Sequence, residues 1–240
     1  MPHYRDEAII LRTHKLGEVD RILTLLTRNH GQVRAVAKGV RKTTSRFGAR
    51  LEPFMVADLQ LYEGRNLDTV SQVEQLSNYG APIVADYSTY TAASAMVEAA
   101  ERMTRESSSS QHYLLLLGAL RTLASGAQPS SQVLDSYLLR SLALSGWVPK
   151  LDACANCGSI KAASFSIHTG AVCCLDCDIP GSVRLGEDGL GHMQALLIGD
   201  WESVSLSKPQ VRSSVSGVIA GYLQWQLERG LKSLNHVERV

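Results

Sequence analysis

The chain has 240 residues and a mass of 26.1 kDa, with 45% hydrophobic residues, 20% charged residues and a formal net charge of +1. This composition is typical of a folded protein and argues against an intrinsically disordered one. The longest nearly apolar run, residues 113–120, is far shorter than the roughly 20 residues of a membrane-spanning helix, and early charges disfavour a signal peptide. We therefore expect a cytoplasmic protein without a membrane partner.

Residues 7–76 have the alternation of apolar and polar side chains that indicates β-strands. The pattern predicts five short strands, at residues 8–11, 22–27, 33–38, 57–62 and 69–73. Five short strands with Gly-containing turns favour a small closed barrel, because closure removes exposed sheet edges, and the OB-fold is the commonest five-stranded candidate. We expect residues 1–80 to form an OB-fold nucleic-acid-binding domain.

Positive charge is concentrated in the middle of this predicted domain. Residues 28–50 hold seven basic residues and no acidic one: Arg28, Arg34, Lys38, Arg41, Lys42, Arg46 and Arg50. Charges of one sign repel each other, so such a run is tolerated best where a polyanion neutralises it. The run favours a nucleic-acid contact, and a solvated basic loop is the alternative.

Helices are predicted after the barrel, because apolar residues recur there at spacings of three and four. The first predicted stripe includes Ile83, Tyr87 and Tyr90, and the second includes Leu114, Leu117 and Leu120. A third helix follows through Leu142, and residues 186–234 predict two more, the last of them capped by Ser207. The predicted class is α+β, with a helical domain in two parts, 81–150 and 183–240, around a cysteine-rich insert, 151–182.

The cysteines provide the most specific motif. Cys154, Cys157, Cys174 and Cys177 have the spacing C-x2-C-x16-C-x2-C, which lies within the range of zinc sites. Two CxxC turns can complete a tetrahedral shell of four thiolates, with Gly158 relaxing the first turn. A closed shell leaves no position for water, so we predict one structural Zn²⁺ per chain that stabilises the insert.

Alternatives to this zinc site remain open. Four thiolates could also hold an iron–sulfur cluster, whereas a thioredoxin-like redox pair lacks the βαβ frame that it needs. Cys173 could replace Cys174 as a ligand, and His168 is another conceivable one. Linear signatures of phosphate-loop, metalloprotease and serine-hydrolase sites are missing, so we expect a binding protein and assign no catalytic residue.

Several segments resemble the bacterial RecO family of recombination mediators. The resemblance covers nearly the whole chain and is carried by the paired CxxC motifs and by residues 16–27, 31–39, 45–48, 51–54, 144–149 and 224–230. It implies an N-terminal OB-fold, a helical domain and an inserted zinc-finger-like segment. It also implies binding of single- and double-stranded DNA, annealing of complementary strands, no intrinsic covalent reaction and a nucleoid-associated location.

The resemblance further implies protein partners and site residues. Members of the family interact with RecR and with the C-terminal tail of the single-strand-binding protein, and with them they help load RecA onto coated strands. Six basic residues fall in the family's DNA-binding module: Arg34, Lys38, Arg41, Lys42, Arg46 and Arg50. The four paired cysteines match the positions that bind metal in members retaining it.

These considerations combine into one hypothesis for the interface. The barrel and the loop after Lys38 form an electropositive groove, and Phe47, between Arg46 and Arg50, either stacks on a base or packs under the loop. Three other function classes remain open. They are a zinc-ribbon RNA-binding or transcription-related protein, a scaffold for an acidic protein, and an unrecognised nuclease or transferase.

Overall fold

The computed structural model describes residues 2–45, 47–105, 110–177, 179–228 and 230–238. The chain divides into two compact units, residues 1–126 and 127–240. Strands dominate the first unit, and helices around a small sheet form the second. The mixed α+β class predicted from the sequence is confirmed.

Five strands of the first unit close into a barrel. They are β1 (His3–Leu16), β2 (Asp20–Thr27), β3 (Gln32–Ala37), β4 (Met55–Tyr62) and β5 (Asp68–Asn78). Their order around the barrel is β1-β2-β3-β5-β4, and only the β3–β5 pair is parallel. The five-stranded barrel expected from the alternating pattern is therefore present.

Alternation places the barrel core where the sequence predicts it. In β4, Ala57, Leu59 and Leu61 are fully buried, while Tyr62 faces outward with 42% of its surface exposed. In β3, Ala35 and Ala37 point inward between outward-facing neighbours. Burial of these side chains removes apolar surface from water and stabilises the barrel, at roughly 25 cal/mol per Å².

The first strand is longer than predicted because it serves two neighbours. Its first half pairs with β4 from His3 to Ile9, and its second half pairs with β2 from Ala8 to Leu16. A register irregularity between Ile10 and Arg12 bends the strand between these partners. Polar side chains at both ends hide this length from a hydropathy pattern.

Three helices complete the first unit: α1 (Gly80–Val84), α2 (Tyr87–Met103) and α3 (Ser110–Ser125). The predicted stripe is wrong at Tyr87 and Tyr90, which are exposed, whereas Ile83, Val97 and Met96 are buried as predicted. Polar contacts join α2 and α3 to β1. Arg12 of β1 pairs with Glu101 at 2.9 Å, and the Tyr113 hydroxyl donates to Glu7 at 3.3 Å.

The second unit surrounds a buried helix, α4 (Ser130–Leu144), in which Val133, Tyr137 and Leu142 are all in the core. A small sheet follows, with order β7-β6-β8, formed by β6 (Ala162–Ser166), β7 (Ala171–Cys174) and β8 (Val183–Arg184). The remaining helices are α5 (Gly186–Ile198), α6 (Trp201–Leu206) and α7 (Pro209–Gln226).

Two details of these last helices differ from the sequence prediction. The six-residue helix α6 was not predicted, because it is too short to show a helical period. Helix α7 begins after Lys208, which occupies the N-cap position without a side-chain hydrogen bond, so the predicted Ser207 cap is wrong. The predicted domain boundaries at 80, 150 and 182 remain predictions.

Candidate nucleic-acid interface and metal centre

The predicted basic residues lie along β3 and the segment that joins it to β4. Arg34 is exposed on β3, Lys38 follows the end of that strand, and Arg50 is exposed on a short 3-10 turn, Gly48–Leu51. Arg41 and Lys42 lie between them and are also exposed. Arg46 lies outside the described residues.

Part of this set lines one groove on the barrel. Lys38, Lys42 and Phe47 line a cavity of about 390 Å³ together with Tyr62 and Val70. Hydroxyl groups complete the lining, from Thr44, Ser45, Thr69 and Ser71. A lining with two lysines and two aromatic residues has the chemistry to bind a phosphate and an adjacent flat ring.

Tyr62 is an aromatic groove residue that the sequence analysis missed. It ends β4, where its register partners are His3 on β1 and Thr69 on β5. Its ring meets the His3 ring edge-on at a centroid distance of 6.1 Å. Its outward position follows from strand alternation, but only the folded chain shows that it shares a groove with Phe47.

Arg41 has a different environment from the two lysines. Its guanidinium donates to the Glu18 carbonyl oxygen at 2.7 Å and to that of Gly17 at 3.5 Å. Its backbone amide donates to the Val19 carbonyl oxygen at 2.9 Å. Arg41 therefore fastens this segment to the turn between β1 and β2, and neither Arg41 nor Arg34 is among the described residues lining the groove.

The segment between β3 and β4 is held by hydrogen bonds and by packing on the barrel. The Gly39 amide donates to the Asp20 carboxylate at 2.7 Å, and the Phe47 amide donates to the Ser45 hydroxyl at 3.2 Å. Leu51 is fully buried in the barrel core, and Phe47 packs against that core. The groove is thus largely formed before a ligand arrives, which lowers the entropy cost of binding.

The four paired cysteines form one cluster in the second unit. The Sγ atoms of Cys154, Cys157, Cys174 and Cys177 all lie within 4.8 Å of one another, and those of Cys157 and Cys174 are 3.7 Å apart. A tetrahedral shell with Zn–S bonds of about 2.3 Å places neighbouring sulfurs about 3.8 Å apart. The donor set and spacing therefore fit one tetrahedral metal ion.

Backbone hydrogen bonds from both CxxC segments favour the thiolate form of Cys154. The amides of Cys157, Cys174 and Asn156 lower the pKa of Cys154 to about 6. The Ser159 amide lowers the pKa of Cys157, but hydrogen bonds with the Cys177, Cys154 and Cys174 thiols outweigh it and raise that pKa to about 12. Without a cation the four sulfurs cannot all be ionised easily, because four neighbouring negative charges repel one another. A bound divalent metal ion would offset that repulsion.

The two alternative ligands lie elsewhere. The Cys173 sulfur contacts the Ser182 hydroxyl at 3.5 Å and the Ser164 carbonyl oxygen at 3.8 Å, and it does not belong to the cluster. His168 packs edge-on against Trp225 at a ring distance of 4.3 Å. Strand alternation explains the separation of Cys173 from Cys174, because neighbouring side chains on β7 face opposite ways.

Comparison with known proteins decides the family. Residues 1–79 match the family model described as Recombination protein O N terminal, and residues 84–235 match Recombination protein O C terminal. The chain belongs to the RecO family. Two relatives carry the name DNA repair protein RecO. The relative from Nocardioides is 51% identical, over 98% of this chain and 99% of the relative's chain. The relative from Thermobifida fusca is 52% identical over the full length of both chains.

RecO membership supports a role in DNA repair and recombination. A further RecO relative, from Cutibacterium acnes, is 49% identical over the full length of both chains. The resemblance noted in the sequence is therefore confirmed for both halves of the chain. None of the helices in the described part combines the length and apolar character needed to cross a membrane.

Proposed function

We propose that this chain is a DNA-binding recombination mediator whose barrel groove contacts the phosphate backbone. The observation that carries the proposal is the convergence of Lys38, Lys42 and Phe47 on one groove in a chain of the RecO family. Arg34 on β3 and Arg50 on the 3-10 turn add positive charge to the proposed DNA interface, and Arg41 orders the segment between them. The protein acts by binding and makes no covalent bond to DNA.

Charge neutralisation is the physical basis of this function. Each phosphate that the protein neutralises releases counterions, so affinity falls as salt rises. If about five phosphates of a single strand are contacted, the log–log slope is near −3.5, from roughly −0.7 per phosphate. Neutralising the charge of two complementary strands lowers their mutual repulsion and raises the rate at which they meet. Faster encounter promotes their annealing.

The partners follow from the same family assignment. We propose that the chain binds single- and double-stranded DNA, RecR and the C-terminal tail of the single-strand-binding protein, in association with the nucleoid. Together they would load RecA onto coated strands. The direct test is annealing and RecA filament formation on strands coated with single-strand-binding protein, with and without RecR.

Charge reversal tests the DNA interface. We expect Lys38→Glu with Lys42→Glu to abolish DNA binding at physiological salt, because both ammonium groups line the groove. The matched control is Lys161→Glu with Lys208→Glu, which makes the same change of charge at two exposed lysines of the second unit. Equal affinity of both double variants would reject the groove as the interface. Stronger binding to RNA than to DNA of equal length would favour the RNA-binding alternative.

For the cysteine cluster we propose a structural Zn²⁺ held by Cys154, Cys157, Cys174 and Cys177. When bound, the ion neutralises the thiolates and fixes their geometry. The support is the sulfur spacing and the low pKa of Cys154, together with the Asn156 side-chain amide that donates to the Cys177 sulfur at 3.4 Å. A four-sulfur shell has no open position for a reacting water.

Two adjacent cysteines provide a matched test of this zinc site. Cys174→Ser should lose the metal and lower the stability of the second unit, whereas Cys173→Ser should retain one zinc ion per chain. Elemental analysis of the purified variants measures both outcomes. Metal loss from both variants alike, or iron in place of zinc in the native chain, would contradict the proposal.

A further inference from the structure

The groove beside Lys38 and Lys42 has a lining that a phosphate chain alone would not need. Its lining includes Val70, of which 3% is exposed, the half-buried Phe47 and the exposed Tyr62. Its volume of about 390 Å³ is in the range of sites for small organic ligands, roughly 300–1,000 Å³. Such a site excludes water from a flat apolar group as well as attracting an anion.

We propose that this groove seats one unpaired nucleotide, with its base against Phe47 and Tyr62 and its phosphate beside Lys38 and Lys42. This inference rests on the proposed DNA binding and adds a means of recognising single strands. A base inside a duplex is stacked and paired, so it must leave the helix to enter the groove, at a cost of a few kcal/mol. An unpaired base enters without that cost, and the groove therefore favours single strands.

Both aromatic walls are in place before any ligand binds. The backbone of Tyr62 is held by strand pairing on both sides, and its ring meets the His3 ring edge-on. Phe47 is fixed by its amide hydrogen bond to Ser45 and by packing on the barrel core. Because the backbone that carries both rings is already ordered, binding has to order only the side chains, which lowers its entropy cost.

The polar part of the lining predicts which bases fit. The uncharged polar side chains of the lining carry hydroxyls, including those of Thr44, Thr69 and Ser71, and a hydroxyl both donates and accepts hydrogen bonds. Ser71 already donates to the Gln60 carbonyl oxygen at 3.0 Å and keeps its acceptor lone pairs. Hydroxyls adapt to any base edge, so the groove should select an unpaired base rather than a particular sequence.

The test uses the full chain and three DNA ligands of equal length at one salt concentration. They are a thymidine oligonucleotide, a chain of abasic deoxyribose phosphates, and a duplex. We expect Tyr62→Ala and Phe47→Ala to weaken binding to the thymidine strand about tenfold, as loss of one base–aromatic stack does. Binding to the abasic chain and to the duplex should stay unchanged.

Two controls isolate the ring of Tyr62. Tyr62→Phe keeps a π-face and should retain the preference for single strands. Tyr87→Ala removes a tyrosine that is 61% exposed on α2, outside the groove, and should bind all three ligands like the native protein. Thermal unfolding of each variant shows whether the barrel remains folded.

The outcomes separate this inference from the function on which it rests. If the native protein binds the abasic chain as tightly as the thymidine strand, the nucleotide groove is wrong, whatever the variants do. The groove is also wrong if Tyr62→Ala and Phe47→Ala weaken all three ligands equally. Loss of binding in the Lys38→Glu, Lys42→Glu variant would still support the phosphate interface, whereas native-like binding by that variant would overturn the function itself.

Discussion

Arg41 and Lys42 are adjacent, exposed and equally charged, yet their surroundings give them different roles. The Arg41 guanidinium bonds to backbone carbonyl oxygens of the β1–β2 turn, whereas Lys42 lines the groove. A planar guanidinium with five donors can hold two carbonyl oxygens at once, and a flexible ammonium suits a moving phosphate. Although the two residues carry the same formal charge, Arg41 positions the segment and Lys42 is the candidate for ligand binding.

This difference predicts that the same substitution changes stability at Arg41 and the salt dependence of DNA binding at Lys42. Arg41→Gln should lower the free energy of unfolding by about 0.5–1.5 kcal/mol for each hydrogen bond lost, and alter DNA affinity chiefly through the loosened segment. Lys42→Gln should leave stability unchanged and reduce the magnitude of the salt slope by about 0.7, which corresponds to one phosphate contact. Chemical unfolding and salt titrations of DNA binding measure the two quantities, and identical behaviour of the variants would refute the assignment.

At the scale of elements, period-two alternation predicted strands better than apolar spacing predicted helix faces. Strand alternation correctly assigned the inward positions of β3 and β4, because a barrel has one buried face. In α3 the predicted stripe included Leu114, which is 51% exposed, whereas Tyr113 and Leu116 are fully buried. On these helices more than one face is apolar enough to be predicted as the buried face. The face of α2 that packs in the core consists largely of small residues such as alanine. Only tertiary packing decides between such faces.

The turn between β6 and β7 provides a test of local packing in the second unit. Gly170 has φ of +64°, and a Cβ atom there would lie 2.4 Å from the Tyr222 hydroxyl. Tyr222 donates to the Trp147 carbonyl oxygen at 3.2 Å, so it cannot move away without losing that bond. Gly170→Ala should therefore combine a left-handed backbone cost of about 1–2 kcal/mol with a clash.

The control for this prediction is Gly146→Ala in the same unit. Gly146 has φ of +90°, but a Cβ atom there would have no neighbour within 4 Å. Gly146→Ala should therefore be destabilised only by the left-handed backbone conformation, so its unfolding midpoint should fall less than that of Gly170→Ala. Equal midpoints for the two variants would show that Tyr222 yields readily and that the predicted clash is absent.

At the scale of the whole molecule, the basic groove lies in one compact unit and the cysteine cluster in the other. The sequence predicted both, because a run of charge and a pair of CxxC motifs are local signals. It could not predict that Tyr62 joins Phe47 at the groove, or that Arg41 bonds to a distant turn. Those contacts join residues from separate strands and loops, and they depend on barrel closure and register.

The separation of the two sites predicts how metal removal affects the protein. A strong chelator should lower the unfolding temperature of the second unit, because the insert loses the ion that stabilises it. Initial DNA binding should keep its salt slope, since the proposed phosphate contacts all belong to the first unit. The measurement is a salt titration of single-strand binding before chelation, after chelation and after zinc is restored, with metal content assayed at each step. A smaller slope after chelation that zinc restores would mean that the cysteine-rich insert contacts DNA itself, and the interface would then have to include residues of the second unit.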